Sequence, residues 1–454
     1  MIYSKKTSVL ASLIGVLLIT GLAGMYLSGC LKDATGVQED DVSMVVEWNR
    51  LILRSEAVCE GYRGAVAARA YGYIGLAAYE AALPGLAGQF KSLNSFYPGM
   101  DLPDAPDPSK YDRRIALNAC YAAMLHKFYL VAPDPIRQEN VGLEKKWEAC
   151  FVQDLDTATV SQSRRFGRAI ADAVYAWSAT DTLGFEANHH NYERTYIPPE
   201  GEGLWKTSAD FPMPPLLPYW GKVRPFVIHT EAYLAKPIPP FSAETNQAYY
   251  RQAVEIISLS SPMSPENQWI GEFWNDDHPG MMFSPPGHWL AITNQVIEKE
   301  HPSLEKTLET YLKVGFALSD ALVATFYSKY LYNLERPETF IQEHIDKSWR
   351  PYAPSPSFPA YPSGHAMIGA AAATVLTSMF GPNYHMMDCS HEKLENVKVK
   401  PREFNSFDQM ARENALSRII IGVHWRMDMD EGLRLGELIG KEVSELQIEN
   451  KLTE

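Results

Sequence analysis

Three short stretches of this sequence carry residue types whose spacing suits chemistry on an anion. Lys329 and Arg336 stand seven apart, with Pro337 directly after. On one continuous helix, positions two turns apart share a face, so both cations would point at one spot. The second stretch, Tyr361-Pro362-Ser363-Gly364-His365, leads into an alanine-rich run. Ser363 is a natural N-cap, and Gly364 admits close approach of a ligand to the backbone. The start of such a helix offers free N–H groups and the positive end of its dipole. His365, in the first turn, is placed to exchange a proton with whatever binds there. In the third stretch Arg418 is followed by His424 and Asp428. At i, i+4 the carboxylate holds one imidazole nitrogen and leaves the other free, as in an oriented nucleophile or ligand. Arg418 and His424, six apart, do not share a face of a straight helix, so a bend near Gly422 is expected.

Together these residues supply three positive charges, neutral donors at Ser363 and Gly364, one His to bond a central atom and one to act as acid or base. That set fits a tetrahedral oxyanion: phosphate, or vanadate, which has the same shape and charge class. Each fragment alone has an ordinary explanation, a solvated cationic face or a capped helix with a surface His. No structural need brings all three into one chain. Two chemistries follow. In a phosphomonoesterase, His424 attacks phosphorus and His365 protonates the leaving group. Alternatively, bound vanadate acts as a Lewis acid in a peroxidase. A non-catalytic oxyanion carrier would leave His365 and the His424–Asp428 spacing without a role.

The elements that must position these residues read as helices. Periodic patterns run over 42–83, 111–131, 135–180, 244–260, 286–299, 302–334, 363–380 and 406–447. Strand signals are scarce, 381–405 reads as a polar loop, and the fold class is all-α, built of packed helix bundles. Between Pro198 and Pro240 lie ten of the 31 prolines, interleaved with Trp205, Tyr219 and Trp220. The aromatic content argues for a specific surface loop over disorder. It also makes this segment the sequence's candidate surface for a homodimer. His189-His190 is too few ligands for a metal, and His385, Cys389 and His391 read as ordinary polar loop residues.

Lys plus Arg is 41 and Asp plus Glu is 55, a net charge of −14. That balance excludes a nucleic-acid footprint over the whole chain. Lys5 and Lys6 precede an uncharged run that ends in Leu27-Ser28-Gly29-Cys30. This looks like a bacterial lipoprotein signal, cleaved after residue 29 and lipidated on Cys30, with residues 30–43 as a tether. A single membrane-spanning anchor is the alternative. Either way the body is exported, to a periplasmic or cell-surface face. Export permits disulfides among Cys59, Cys120, Cys150 and Cys389, in three possible pairings. No C-x-x-C or H-E-x-x-H spacing occurs, which disfavours zinc.

The motifs K-x6-R-P, P-S-G-H and S-R-x5-H-x3-D, all present here, resemble the signature of the vanadium haloperoxidase and type 2 phosphatidic acid phosphatase superfamily. The likeness extends to Phe358-Pro359-Ala360-Tyr361, to Phe273-Trp274-Asn275-Asp276-Asp277 and Ser284 to Trp289, and to Trp48-Asn49 and Ala67 to Ala81. It covers most of residues 44–445 and favours the peroxidase. The resemblance implies two packed four-helix bundles, over 44–240 and 241–447, the second carrying the site. It implies vanadate held by Lys329, Arg336, Ser363, Gly364 and Arg418, with vanadium bonded axially to His424. His365 would take a proton from peroxide. Asp277, with Asp276 adjacent, matches the carboxylate that orients Arg418. Phe358 would line the halide side. Many members have Trp three residues before the lysine, where Phe326 stands here, and some bromide-oxidising members place a His close to Phe358. This departure favours iodide or bromide over chloride as the substrate oxidised with hydrogen peroxide.

Overall fold

The computed structural model describes residues 37–86, 90–208, 212–276, 282–392 and 399–449. The signal segment, Cys30 and Asp277 lie outside the described residues. Among the described residues no helix is long and apolar enough to cross a membrane. Within the same residues regular structure consists of fourteen α-helices, short 3-10 turns and one two-stranded hairpin, which is the all-α class expected from the sequence.

The first helices are α1 (Val37–Val58), α2 (Ala65–Ala82), α3 (Arg113–Phe128), α4 (Asp134–Phe151), α5 (Thr157–Ala179) and the short α6 (Thr182–Glu186). The pattern over 135–180 is therefore two helices. Asp156 starts the second by accepting from the backbone N–H groups of Ala158 and Thr159. After the proline-rich segment come α7 (Ala248–Ser260), α8 (Pro265–Phe273), α9 (Pro285–Glu300), α10 (Leu304–Tyr332) and α11 (Pro337–His344). The chain closes with α12 (Gly364–Phe380), α13 (Phe407–Ile420) and α14 (Arg426–Ser444). The stretch read as a polar loop holds β1 (Met386–Asp388) paired antiparallel with β2 (Arg402–Phe404).

Two helix groups result: α1 to α5, and α10 with α12, α13 and α14. Helix α10 is buried on nearly every side and belongs to both, because α2 packs against one face of it and α12 against another. Small residues set that approach. A β-carbon at Gly75 would stand 3.2 Å from the Leu312 Cα, and one at Gly315 3.1 Å from the Tyr71 backbone. One continuous hydrophobic core runs through both groups. Helices α12 and α14 lie closer still. Gly432, Gly436 and Gly440 form a stripe on α14, and a β-carbon at Gly436 would fall 2.2 Å from the Met367 carbonyl oxygen of α12.

The proline-rich segment is an ordered strap laid on α10. The Asp320 carboxylate, buried within α10, accepts the backbone N–H groups of Phe226, Val227 and Ile228 at 2.7, 2.7 and 3.1 Å. Trp205 and Trp220 are buried inside the chain, so neither is offered to a second copy. Among the described residues no disulfide joins Cys59, Cys120, Cys150 and Cys389, so none of the three pairings occurs there.

Candidate active site

Lys329 does not share a helix with Arg336, contrary to the sequence expectation. Asn333 adopts the left-handed conformation at φ 47° and its N–H returns to the Lys329 carbonyl, which ends α10. Pro337 then holds Arg336 extended, at φ −78° and ψ 150°, and opens α11 at its first position. Convergence is restored by the side chains. The Arg336 Nε donates to the Phe358 carbonyl at 3.0 Å and Nη1 to the Val423 carbonyl at 2.8 Å. Lys329 Nζ donates to the Pro359 and Ala360 carbonyls at 2.9 and 2.7 Å. Both cations are thus steered by backbone oxygens of the 358–360 loop, which sequence reading had not identified as partners.

Ser363 caps α12, its Oγ accepting from the Ala366 N–H at 3.4 Å. Gly364 and His365 follow in the first turn and stand in the wall of a cavity of about 1330 Å³. Lys329, Arg418, His424, Phe326 and Phe358 line the same cavity. The expected bend is real. Helix α13 stops at Ile420, Gly422 sits at φ +85°, and α14 begins at Arg426. A glycine is required there because the conformation is left-handed and the Trp349 ring approaches to 2.8 Å of a β-carbon position. The break places His424 beside the cavity and sets its Nδ1 at 2.8 Å from Oδ2 of Asp428. His424 Nε2 then lies 3.2 Å from Arg336 Nη1. Arg418 Nη1 donates to the Trp274 carbonyl at 3.2 Å.

Nine predicted positions therefore assemble at one place: Lys329, Arg336, Ser363, Gly364, His365, Arg418, His424, Phe326 and Phe358. Asp428 supports them from behind. Asp276 does not serve Arg418 by any hydrogen bond seen here; its carboxylate takes both bonds from His288 Nδ1, at 3.2 and 3.0 Å. His391 is not an ordinary loop residue either, since it is buried and its Nε2 lies 2.9 Å from the Phe273 carbonyl. His189 lines the far end of the cavity and pairs with the neighbouring Asn188.

The electrostatics of this cluster call for an anion. Among the described residues, neither Lys329 nor Arg336 has a carboxylate within ion-pair distance, although both are buried. Burial first, and then the neighbouring Arg336, hold the Lys329 ammonium far below its usual range. Burial and the three cations likewise keep His424 and His365 neutral. Among the described residues, Arg336 Nη2 and His365 Nε2 are buried without a hydrogen-bond partner. Uncompensated buried cations cost several kcal/mol each. A tetrahedral oxyanion with several negative charges supplies the missing counter-charge and acceptors, so the residues present fit vanadate or phosphate.

Residues 309–450 match the family model described as the VCPO second helical-bundle domain. The chain is 24% identical over 345 residues to the vanadium chloroperoxidase of Curvularia inaequalis, covering 59% of this chain and 57% of that protein. It is 35% identical over 94 residues to the vanadium-dependent bromoperoxidase of Ascophyllum nodosum, covering 19% and 17%. The match thus spans little more than half the length of the first of these curated relatives. Among solved structures, a bacterial vanadium-dependent iodoperoxidase superimposes with a TM-score of 0.80 at 26% identity, covering 90% of this chain and 97% of that one.

Proposed function

Since this chain belongs to the vanadium haloperoxidase superfamily, we propose that it is a vanadate-dependent peroxidase that oxidises iodide or bromide with hydrogen peroxide. The observation that carries the reading is the pair of buried cations, Lys329 and Arg336, with no carboxylate in ion-pair distance among the described residues, set beside His424, which lines the cavity with its Nε2 3.2 Å from Arg336 Nη1.

Lys329, Arg336, Arg418, Ser363 and Gly364 would hold the oxygens of vanadate, and His424 would offer its Nε2 to the bound group. Bound there, vanadate supplies a Lewis acid that activates peroxide toward attack by halide without changing its own oxidation state. The chain's residues do the rest. Asp428 fixes the imidazole of His424 so that Nε2, and not Nδ1, faces the cavity. The cations hold negative charge that water would otherwise have to solvate. His365, in the first turn of α12, is held well below the usual imidazole range by burial and the cations around it, so it would accept a proton from incoming peroxide only briefly and give it up again. Phe326 and Phe358 form an apolar wall on the same cavity, with ring centres 5.4 Å apart. An anion entering between them must shed water, which costs least for large, weakly hydrated iodide and most for chloride. The structural likeness to an iodoperoxidase supports that order.

Export and a lipid anchor on Cys30 belong to the same proposal and rest on the sequence of residues 1–30. They suit an enzyme that consumes peroxide and releases a corrosive product.

The test uses the chain from residue 31 onward, stripped with chelator. Peroxide-dependent oxidation of iodide is followed with and without orthovanadate. Activity that appears only with vanadate is the expected result. Folded protein that binds vanadate yet oxidises no halide, and instead hydrolyses a phosphomonoester, would transfer the site to phosphohistidine chemistry.

A further inference from the structure

Behind the oxyanion site lies a second buried polar cluster, assembled from three separate parts of the chain. His288, in the first turn of α9, places Nδ1 3.0 Å from Oδ2 of Asp276 and Nε2 3.0 Å from Oδ2 of Asp388. Asp276 follows α8, and Asp388 ends β1. All three side chains are buried. With a carboxylate at each ring nitrogen, both nitrogens must carry protons, so the ring is an imidazolium. Its faces are covered by aromatic rings: Trp274, Phe273, Phe283 and His391 lie with centres 4.7, 5.4, 5.3 and 4.8 Å away. Such a cage suits a cation.

Asp276, His288 and His391 also bring one ligand atom each within 4.8 Å of one another. A metal ion is nevertheless the poorer occupant. It would need unprotonated nitrogens, whereas both nitrogens of His288 are engaged by carboxylates.

The cluster meets the active site at the Trp274 carbonyl. Trp274 lies against the His288 ring, tilted by 31°, and its carbonyl accepts from Arg418 Nη1. Two residues on, Asp276 is clamped by His288. Arg63, which lines the cavity, donates to the backbone carbonyls of Asp276 and Met282, both at 2.9 Å. On the far side, Gln295 and Ser390 fix Asp388 at 3.0 and 2.6 Å. The 274–276 segment therefore has no independent freedom while His288 holds both carboxylates.

We infer that His288 is a positioning residue of the oxyanion site: it ties Asp276 to Asp388 and thereby sets the Trp274 carbonyl that orients Arg418. This rests on the reading of Arg418 as an oxyanion-holding residue, and the two can fail separately.

The experiment measures the vanadate dissociation constant of the full chain by equilibrium dialysis, with phosphate as a competing probe. Wild-type protein that fails to bind either anion would overturn the site reading itself. Given wild-type binding, His288→Gln removes the double donor and is expected to weaken vanadate at least tenfold with the helical circular dichroism retained. Asp388→Asn leaves the Asp276 clamp in place and is expected to weaken it severalfold. A variant in the distant α1–α3 contact, Trp48→Phe, compared at similar thermal stability, should leave the constant unchanged, whereas an effect of general destabilisation would weaken binding in it as well. If His288→Gln does not fold, Asp388→Asn decides. An unchanged constant in the folded variants overturns the inference. So does one equivalent of tightly held transition metal in the purified protein that is lost with His288, because the cluster would then be a metal site.

Discussion

His424 and Asp428 meet through Nδ1 and Oδ2 at 2.8 Å, and the same carboxylate oxygen accepts the Trp425 N–H at 3.0 Å. The carboxylate is therefore held by the start of α14, and the imidazole is held by the carboxylate. This fixes which nitrogen reaches the cavity. Replacing Asp428 by Asn keeps the volume and loses the charge that secures the tautomer. Vanadate affinity is expected to fall about 10- to 100-fold, the usual cost of losing such a supporting partner. His424→Ala should abolish tight binding altogether. Equilibrium dialysis of both variants checks this, and wild-type affinity in Asp428→Asn would show that the pair is dispensable.

Proton linkage gives a second prediction. In the ligand-free site, burial and mutual repulsion pull Lys329, His365 and His424 below their ordinary values. An anion among them favours the charged forms and raises all three. Binding must therefore take up protons, and affinity must fall as pH rises. The stability sign follows from the same shifts. A depressed lysine binds fewer protons folded than unfolded, so the ligand-free chain gains stability from this group as pH rises toward 10.5. Bound phosphate should remove that gain. Titration calorimetry with phosphate in two buffers of different ionisation enthalpy reads the uptake directly. Proton release on binding would contradict the electrostatic picture of the site.

Two glycines on neighbouring helices should behave oppositely. At Gly364 a β-carbon would meet only Thr325 Cγ2 at 3.7 Å and Leu322 Cδ2 at 3.9 Å, ordinary contacts. No protein atom reserves that space, and the cavity does. Gly364→Ala is expected to keep its melting temperature and weaken vanadate by about tenfold, roughly 1.4 kcal/mol. At Gly436 the added carbon would press on the Met367 carbonyl. Gly436→Ala should cost about 1–3 kcal/mol of stability by overpacking α12 against α14. Thermal unfolding and dialysis on the same two proteins separate the effects. Equal stability losses would mean that Gly364 serves packing.

The residues of the site were legible in the sequence because each belongs to a short motif, and Ser363, His365, His424 and Asp428 lie in the local geometry their spacing implies. The path of the chain was less legible. The spacing of Lys329 and Arg336 fits two turns of helix, but Asn333 and Pro337 end α10 and restart the chain, so backbone carbonyls at 358–360 bring the cations together instead. Such carbonyl partners leave no mark in residue types. His288, Asp388 and His391 were missed for a related reason: His288 stands about 100 residues before the other two, and no local period joins them. Trp205 and Trp220 read as surface aromatics, yet the strap that carries them is tied down by Asp320, a residue about a hundred positions later.

Halide choice rests on Phe358 and its neighbours. Its ring lies 4.9 Å from both Lys329 Nζ and the Arg336 guanidinium, and 5.4 Å from the Phe326 ring. The ring thus covers the cations on one side and presents an apolar wall with no polar hydrogen beside them. A halide that settles there receives no N–H or O–H donor from either phenylalanine, so its own hydration decides how readily it enters. Turnover is expected to run iodide, then bromide, then chloride. Phe326→Trp adds an indole N–H, and Phe358→His adds an imidazole that the adjacent cations keep neutral. Each supplies a donor that compensates a more strongly hydrated ion. Each should raise kcat/KM for bromide or chloride relative to iodide by about tenfold, roughly 1.4 kcal/mol of differential stabilisation. Steady-state rates with the three halides at fixed peroxide and vanadate measure the ratios, and wild-type turnover faster with chloride than with iodide would remove the apolar wall as the selecting feature.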